Sequence, residues 1–367
     1  VSLMYTITAL SSAFAGLTIP KILKKPGLLK PLIFTGIALC CGGTFLMSLA
    51  SGVITLYAFS IIRGVGAGML SFVLATSVIN NWFYARNGLM VSIAMAFSGL
   101  PGVLLSSVFT NVIVNSGWRF GYRFVTIVMI IFCLPAILLP VKMTPALAGV
   151  KPYGYEDYLK YREENKEKVV FTQSNEHIDY RSFAMVGLLL FSILVCVIAS
   201  VNQHFPSYAI SVGMSASVGA LMASMASASN ILSKLLYGAL TDKIGPHKST
   251  LLCALINFAA IILLLTVHTS WAMVLGAFLF GFTFANSSTA LSMLTRKSFG
   301  LSNYTRVYPL VSFIGAASNA LGVTLLGLLY DMSGSYAAVF ILCLLMQAIV
   351  IALVLAMMKK GKKEETV

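Results

Sequence analysis

Two cations stand inside sequence apolar enough to be hydrocarbon-facing. Arg63 lies in the run 54–79 and Lys234 in the run 214–240. A cation at the centre of a bilayer costs at least ~2.5–3.5 kcal/mol on insertion scales, so each is expected to face a bundle interior or an aqueous cavity. Lys234 stands eight residues before Asp242, about 12 Å along a helix rising ~1.5 Å per residue. That is too deep for a comfortable lipid face, although a lysine stem can snorkel part of the way. Arg63 precedes Gly64, Gly66 and Gly68; binding to interior backbone carbonyls is the alternative use of its guanidinium. Of the 11 acids, seven fall in the polar stretch 143–182, two in the tail (Glu364, Glu365), and Asp242 and Asp331 lie at the ends of apolar runs. An interior with two cations and no mid-run carboxylate is net positive. Its chemistry is the binding of an anion. Weaker candidates for the same cavity are Asn230, Gln203, Tyr5, Asn286 and Tyr308, which also suit interhelical hydrogen bonds. His204 could in addition titrate near neutral pH.

Other chemistries find no support. There is no metal-ligand spacing, no phosphate-binding glycine loop and no nucleophile paired with a base, so neither an enzyme nor a cofactor is expected. All six cysteines fall in apolar runs, which reads as buried packing rather than a disulfide framework. With 58% hydrophobic and 10% charged residues, against roughly 25% charged in a soluble domain, the chain cannot clothe a water-soluble globule of its size. The formal net charge of +14 would suggest nucleic acid only on a soluble fold.

The elements that must position these residues are the apolar runs themselves. Eleven are long enough to cross a ~30 Å hydrocarbon core: 1–20, 31–50, 54–79, 88–114, 120–141, 183–209, 214–240, 249–268, 271–293, 304–331 and 335–358. They lack the alternation of barrel strands, so they are predicted helices. With alternate gaps placed on one side, that side receives every Lys and Arg except Arg63, Arg119, Arg123 and Lys234. The positive-inside rule makes it cytoplasmic, where anionic lipid headgroups add attraction. The expectation is an all-α, multi-pass protein of the plasma (inner) membrane. The chain opens within an apolar run, without Met and without a cleavable signal. A twelfth helix before residue 1 is therefore expected, with both termini cytoplasmic in the complete protein.

The stretch 143–182 is the long polar interruption. It divides a first half, 1–142, from a six-helix half, 183–358, followed by a basic tail, 359–367. Tyr155 to Lys168 could form a short helix on the membrane face, and a plain linker is the preferred reading. The halves echo each other. Gly238-Ala-Leu-Thr-Asp242-Lys243-Ile-Gly245 follows one run, and Gly16-Leu-Thr-Ile-Pro20-Lys21 follows another, with Gly16/Gly238 and Lys21/Lys243 both 222 residues apart. Ser116-Gly117-Trp118-Arg119 is matched by Ser333-Gly334-Ser335-Tyr336. Parallel six-helix repeats are a plan of secondary transporters that bind substrate at the midplane between halves.

On these residues the chain resembles the major facilitator superfamily: the Gly-x-x-x-Asp-Lys-x-Gly loop, the doubled six-helix plan and the central linker. Asn80-Asn81-Trp82-Phe83-Tyr84-Ala85-Arg86-Asn87-Gly88 and Gln203-His204-Phe205-Pro206-Ser207-Tyr208 resemble its monocarboxylate-porter and oxalate/formate-antiporter branch. The resemblance implies a twelve-helix fold of two pseudo-symmetric halves and alternating-access transport of a small organic anion, monocarboxylate-like, by exchange or proton symport. It also implies that Lys234 occupies the position of the antiporter's carboxylate-binding arginine. Asn230 occupies that of the Asp found one turn earlier in monocarboxylate porters, and the antiporter's second cation would fall near Gly315. Gly238, Asp242, Lys243 and Gly245 would form a gating loop, with Asp242 receiving hydrogen bonds from a neighbouring helix N-terminus; its first-half counterpart has Pro20 in place of the acid. Expected partners are the anion, protons and membrane lipid, and the expected state is a monomer. An exporter of drugs or amphiphiles and a non-transporting receptor are the alternatives.

Overall fold

The computed structural model describes residues 2–23, 27–156 and 179–364, all of whose regular elements are helical. Eleven crossings result. α1 is Ser2–Leu23 and α2 is Leu29–Met47. α3 runs Val53–Met69 and, after a break at residues 70–71, Phe72–Trp82. α4 begins with Asn87–Ala96, tightens to a 3-10 turn at Phe97–Gly99, and continues to the bend at Gly117. α5 covers 118–138. α6 joins Phe183–Ala199 to Phe205–Ser211 through a 3-10 turn at Ser200–His204. α7 is Ala216–Ile244 and α8 is Pro246–Thr266. α9 runs from Ser270–Phe280 through a π-helical turn at Ala285–Ala290 to the bend at Gly300. α10 covers 301–333 and α11 is Tyr336–Glu364.

The breaks between crossings follow from backbone chemistry. Gly117, with φ 79°, and Gly334, with φ 67°, turn the chain in the left-handed region that L side chains avoid. They are the matched glycines of the two Ser-Gly echoes. Nine helical segments among the described residues are long and apolar enough to span a bilayer. α7 is long enough, but its serines, Asn230 and Lys234 make it less apolar. Its polar side chains find protein: Ser233 Oγ donates to the Gly281 carbonyl of α9 at 3.2 Å, and Lys234 reaches α4.

α1, α2 and α3 pack together, with α5 against α2; α6, α10 and α11 form a second group with α7, α8 and α9. Amides, buried at Asn257 and Gln347 and half-buried at Asn319, stitch the second group. Asn257 Nδ2 donates to Phe280 O at 3.3 Å, Gln347 Nε2 to Ala254 O at 2.9 Å, and Asn319 Nδ2 to Cys196 O at 3.0 Å. Each satisfies a polar group where no water competes. Arg119 and Arg123, the two cations on the less basic side, close the chain after α2. Arg119 Nη2 donates to Ala50 O at 3.2 Å and Arg123 Nε to Ser48 Oγ at 3.5 Å.

The groups meet along two seams, α4 against α7 and α1 against α10, with α3 touching α10. The α4–α7 seam is built from small residues. A Cβ on Gly238 would stand 2.3 Å from Ser92 Oγ and 2.8 Å from Gly88 O, so only glycine allows this approach.

The start of the polar stretch 143–182 is a strap. Tyr153 N donates to Trp82 O at 2.9 Å and its carbonyl accepts from Tyr84 N at 2.9 Å, forming a parallel bridge between Phe83 and Tyr153. Trp82 Nε1 donates to Lys142 O at 2.8 Å and Asn81 Nδ2 to Met143 O at 3.3 Å. The strap therefore holds the α3–α4 loop, where Arg86 adopts φ 53°. The segment 155–168, read as a linker with a short surface helix as the option, lies beyond Glu156 outside the described residues. Gly154 has φ 77°, and a Cβ there would stand 2.3 Å from Ala85 Cβ. Gly154→Val should therefore release the strap and cost about 1–3 kcal/mol, read as a lower unfolding midpoint of the purified protein; an unchanged midpoint would show that the strap bears no load.

Candidate functional site

Lys234 is buried, with 3% of its surface exposed. Two neighbours on α7 explain its position: the preceding Ser233 is hydrogen-bonded into α9, and Gly238, one turn on, presses α7 onto α4, which brings the lysine stem across the seam. Its Nζ donates to Ser98 Oγ at 2.7 Å and to Met95 O at 3.2 Å, both in α4. The Met95 carbonyl is available because the helix tightens into the 3-10 turn that follows, and Ser98 itself donates to Met95 O at 2.8 Å. Nζ also lies 5.9 Å from the centroid of the Phe72 ring, a cation–π distance. An ammonium has three donors; two are spent on neutral acceptors of the other helix group. Lys151 pairs with Glu156 at the surface; among the described residues no ion pair to a carboxylate is seen for Lys234.

Lys234 lines a cavity of about 340 Å³ between the two groups of helices. Asn230, Gln203, Tyr308, Ser98 and Phe72 share its wall. The Asn230 carbonyl oxygen is buried there without a hydrogen-bond partner, as is that of Asn202 on α6. The wall thus combines one positive charge with acceptors that a ligand could engage.

The remaining sequence candidates go elsewhere. Arg63 is partly exposed on α3 and does not line the cavity; a Cβ on Gly43 of α2 would stand 2.6 Å from the Arg63 nitrogen, so α2 packs directly on its backbone. The two intramembrane cations are therefore not brought into one site. His204 Nε2 lies 3.1 Å from Val323 O, and its ring stands 6.0 Å from that of Tyr336. Asn286 is buried and donates to Thr250 O at 3.4 Å between α9 and α8. Neither lines the cavity. The side chain of Tyr5 lies outside the described residues.

At one end of the seam Asp242 caps α4. Its two carboxylate oxygens accept from the backbone N–H of Gly88 and of Leu89, each at 3.0 Å. These are orphan donors of a helix N-terminus, where an anion is favoured by the aligned peptide dipoles. A Cβ at Gly88 would fall 2.6 Å from Asp242 Oδ1, so a larger residue there would push the carboxylate off its present position. Gly245, with φ 82°, turns the chain from α7 into α8, and Lys243 is exposed. Residues that sequence reasoning did not single out complete this end. Tyr304 of α10 donates to Thr76 Oγ1 of α3 at 2.8 Å and lies 2.7 Å from Ser292 Oγ; Arg296 Nη1 donates to Asn80 Oδ1 at 3.3 Å. Serine, threonine and tyrosine at helical spacing carry no signal that distinguishes a cross-seam contact from packing. The named inter-group hydrogen bonds all lie between the Asp242 end and the depth of Lys234, so this end is closed.

The family model of the Major Facilitator Superfamily matches residues 1–232 and 205–366. Among curated relatives, rat monocarboxylate transporter 2 is 27% identical over 353 residues, spanning 90% of this chain and 70% of that protein. Rat monocarboxylate transporter 12 is 24% identical over 332 residues, spanning 85% and 68%. Among solved structures, the E. coli fucose:proton symporter FucP has a TM-score of 0.69 at 14% identity, covering 96% of this chain and 89% of that one. The human organic anion transporter MFSD10 (TETRAN) has 0.71 at 16%, covering 96% and 82%. At such identities the structural likeness establishes the fold alone, while the family match runs the length of the chain. The protein belongs to the major facilitator superfamily, as a multi-pass membrane transporter homologous at low identity to monocarboxylate transporters.

Proposed function

We propose that this transporter carries a small organic anion, monocarboxylate-like, by alternating access, with Lys234 neutralising the carboxylate. One observation carries the reading: a buried ammonium in the cavity between the helix groups, with a donor to spare and no carboxylate partner among the described residues. Keeping an ion out of water costs several kcal/mol after relaxation, and an anionic ligand offsets that cost where neutral acceptors do so only in part. The relatives bear the name of monocarboxylate transporters, which supports the same class of substrate. Exchange and proton symport both satisfy the geometry.

Lys234 also supplies a link from occupancy to movement. It belongs to α7 but is anchored on α4, so it ties one half to the other. A carboxylate arriving at Nζ competes with Ser98 for the same donors. Exchanging that inter-half bond for a bond to the ligand changes the relative stability of the closed and open arrangements, which is the differential affinity any ligand-driven shift requires. On this reading 1–142 and 183–358 move as the two halves. The Asp242 end is the cytoplasmic one by the distribution of Lys and Arg, and the Asp242 cap on α4 is the gate that holds it shut.

Two measurements test this. In proteoliposomes, Lys234→Gln should lower monocarboxylate uptake at least tenfold, because a hydrogen bond to a charged group is worth about 1.5–3 kcal/mol. Lys234→Arg, which keeps the charge but not the compact ammonium, should retain part of it. Normal rate and affinity in the Gln variant would sink the assignment, and ligand binding without uptake in the wild-type protein would favour a receptor. The gate is probed through Cys196, which lines the cavity, in a chain whose other cysteines are replaced. Asp242→Asn removes a capping charge worth about 1 kcal/mol, so an impermeant thiol reagent added on the Asp242 side should modify Cys196 about fivefold faster. An unaltered rate would remove Asp242 from the gate.

A further inference from the structure

Beside the Lys234 cavity lies a second one of about 350 Å³, enclosed by α1, α3 and α10. Its wall is mainly apolar, including Ala13 and Gly16 of α1, Val73 of α3 and Phe313 of α10, with the hydroxyls of Ser12, Ser71 and Ser312 and no charged side chain. The two cavities share Phe72, Ser312 and Ala316. Phe72 is placed on that boundary by the break in α3. The first segment ends at Met69, Ser71 is extended with ψ 168°, and Phe72 opens the second segment. Phe72 is 37% exposed, and the Lys234 ammonium lies 5.9 Å from its ring centroid. An aromatic ring thus stands between a positively charged compartment and an apolar one.

We infer that Phe72 sets substrate specificity as the partition between a carboxylate subsite at Lys234 and an apolar tail subsite behind it, so that the transporter takes carboxylates bearing an apolar tail in preference to the shortest acids. The inference rests on the reading of Lys234 as the anion site and adds the second compartment to it. Either cavity alone is at the small end of ligand sites, which run ~300–1,000 Å³. A short acid at Lys234 occupies only part of the first and does not reach the second. A tail passing the Phe72 edge buries apolar surface on both molecules, at roughly 25 cal/mol per Å², and keeps the charge on Lys234.

The test compares equilibrium binding of radiolabelled acetate and 3-phenylpropionate to the full chain in lipid nanodiscs. Gly16→Leu fills the second cavity without a backbone clash, since a Cβ at Gly16 meets its nearest atom, Ser71 Oγ, at 3.8 Å; Ala13→Leu fills it from an adjacent turn and guards against a folding defect in the first variant. In the wild-type protein the phenyl acid should bind at least tenfold more tightly than acetate. Either filling variant should abolish most of that advantage with acetate affinity unchanged, and Phe72→Ala should admit bulkier, branched tails that the wild-type protein rejects. Lys234→Gln should weaken both acids. Equal affinities in the wild-type protein, or an advantage that survives both filling variants, would overturn the tail subsite while leaving the anion site standing. A Lys234→Gln protein that binds both acids normally would overturn the anion site itself. A second cavity occupied by a lipid chain instead would show as an advantage insensitive to Gly16→Leu and Ala13→Leu.

Discussion

A charged nitrogen held out of water needs compensation from whatever surrounds it, and in this protein the requirement organises the centre of the molecule. Lys234 obtains a hydroxyl and a carbonyl from α4 and the face of an aromatic ring from α3. Both helices belong to the other group, so the compensation is also the contact that joins the groups. Meeting it requires α7 and α4 to approach closely, which Gly238 and Gly88 permit by having no side chain. It also requires a carbonyl and a hydroxyl at the right height, which the tightened turn of α4 provides at Met95 and Ser98. The compensation stays incomplete because the acceptors are neutral, and an incompletely balanced charge in a cavity is an affinity for anions.

The Asp242 end shows the same physics with the sign reversed. There the unbalanced groups are the N–H donors at the start of α4, and the carboxylate of Asp242 reaches them from α7. The loop that presents those donors is itself held by Tyr153, Trp82 and Asn81, through backbone bonds and two side-chain bonds to residues 142 and 143. The polar stretch between the halves thereby does more than connect. Its first residues brace the loop whose amides Asp242 grips, so the covalent link and the Asp242 contact act on the same segment.

The likeness to monocarboxylate transporters sharpens the meaning of two positions. Asn230 sits one turn from Lys234 with its carbonyl oxygen unpartnered in the cavity. An amide there leaves the lysine charge uncancelled, where an acid would neutralise it. Gly315 also lines the cavity and contributes space instead of a second cation. The cavity wall therefore carries a single positive charge, that of Lys234.

Several of these features could be read before any fold was known. Apolar runs of spanning length dictate transmembrane helices, because an unpaired backbone cannot cross hydrocarbon. A lysine that deep in such a run calls for a cavity or a protein partner. The glycine loop around Asp242 and its partial copy at Gly16 carried the family. Arg63 stands out beside Lys234 in the sequence, and His204 and Asn286 are weaker candidates for the same cavity. Arg63 instead lies on α3 away from the cavity, while His204 meets the carbonyl of Val323 and Asn286 that of Thr250. The difference between these outcomes is the rotation of each helix about its axis and its depth against its neighbours, which residue type does not encode. Phe72, Ser98 and Tyr153 gave no warning at all, since a phenylalanine, a serine and a tyrosine are common in helices and loops alike. Transfer free energy acts on each segment by itself, so the crossings, their basic side and the anomaly of a buried lysine were determined by sequence alone. Which polar groups meet depends on distances between segments remote in the chain, so the cavity, its partition by Phe72 and the closed Asp242 end were decided only by the packing of one helix group against the other.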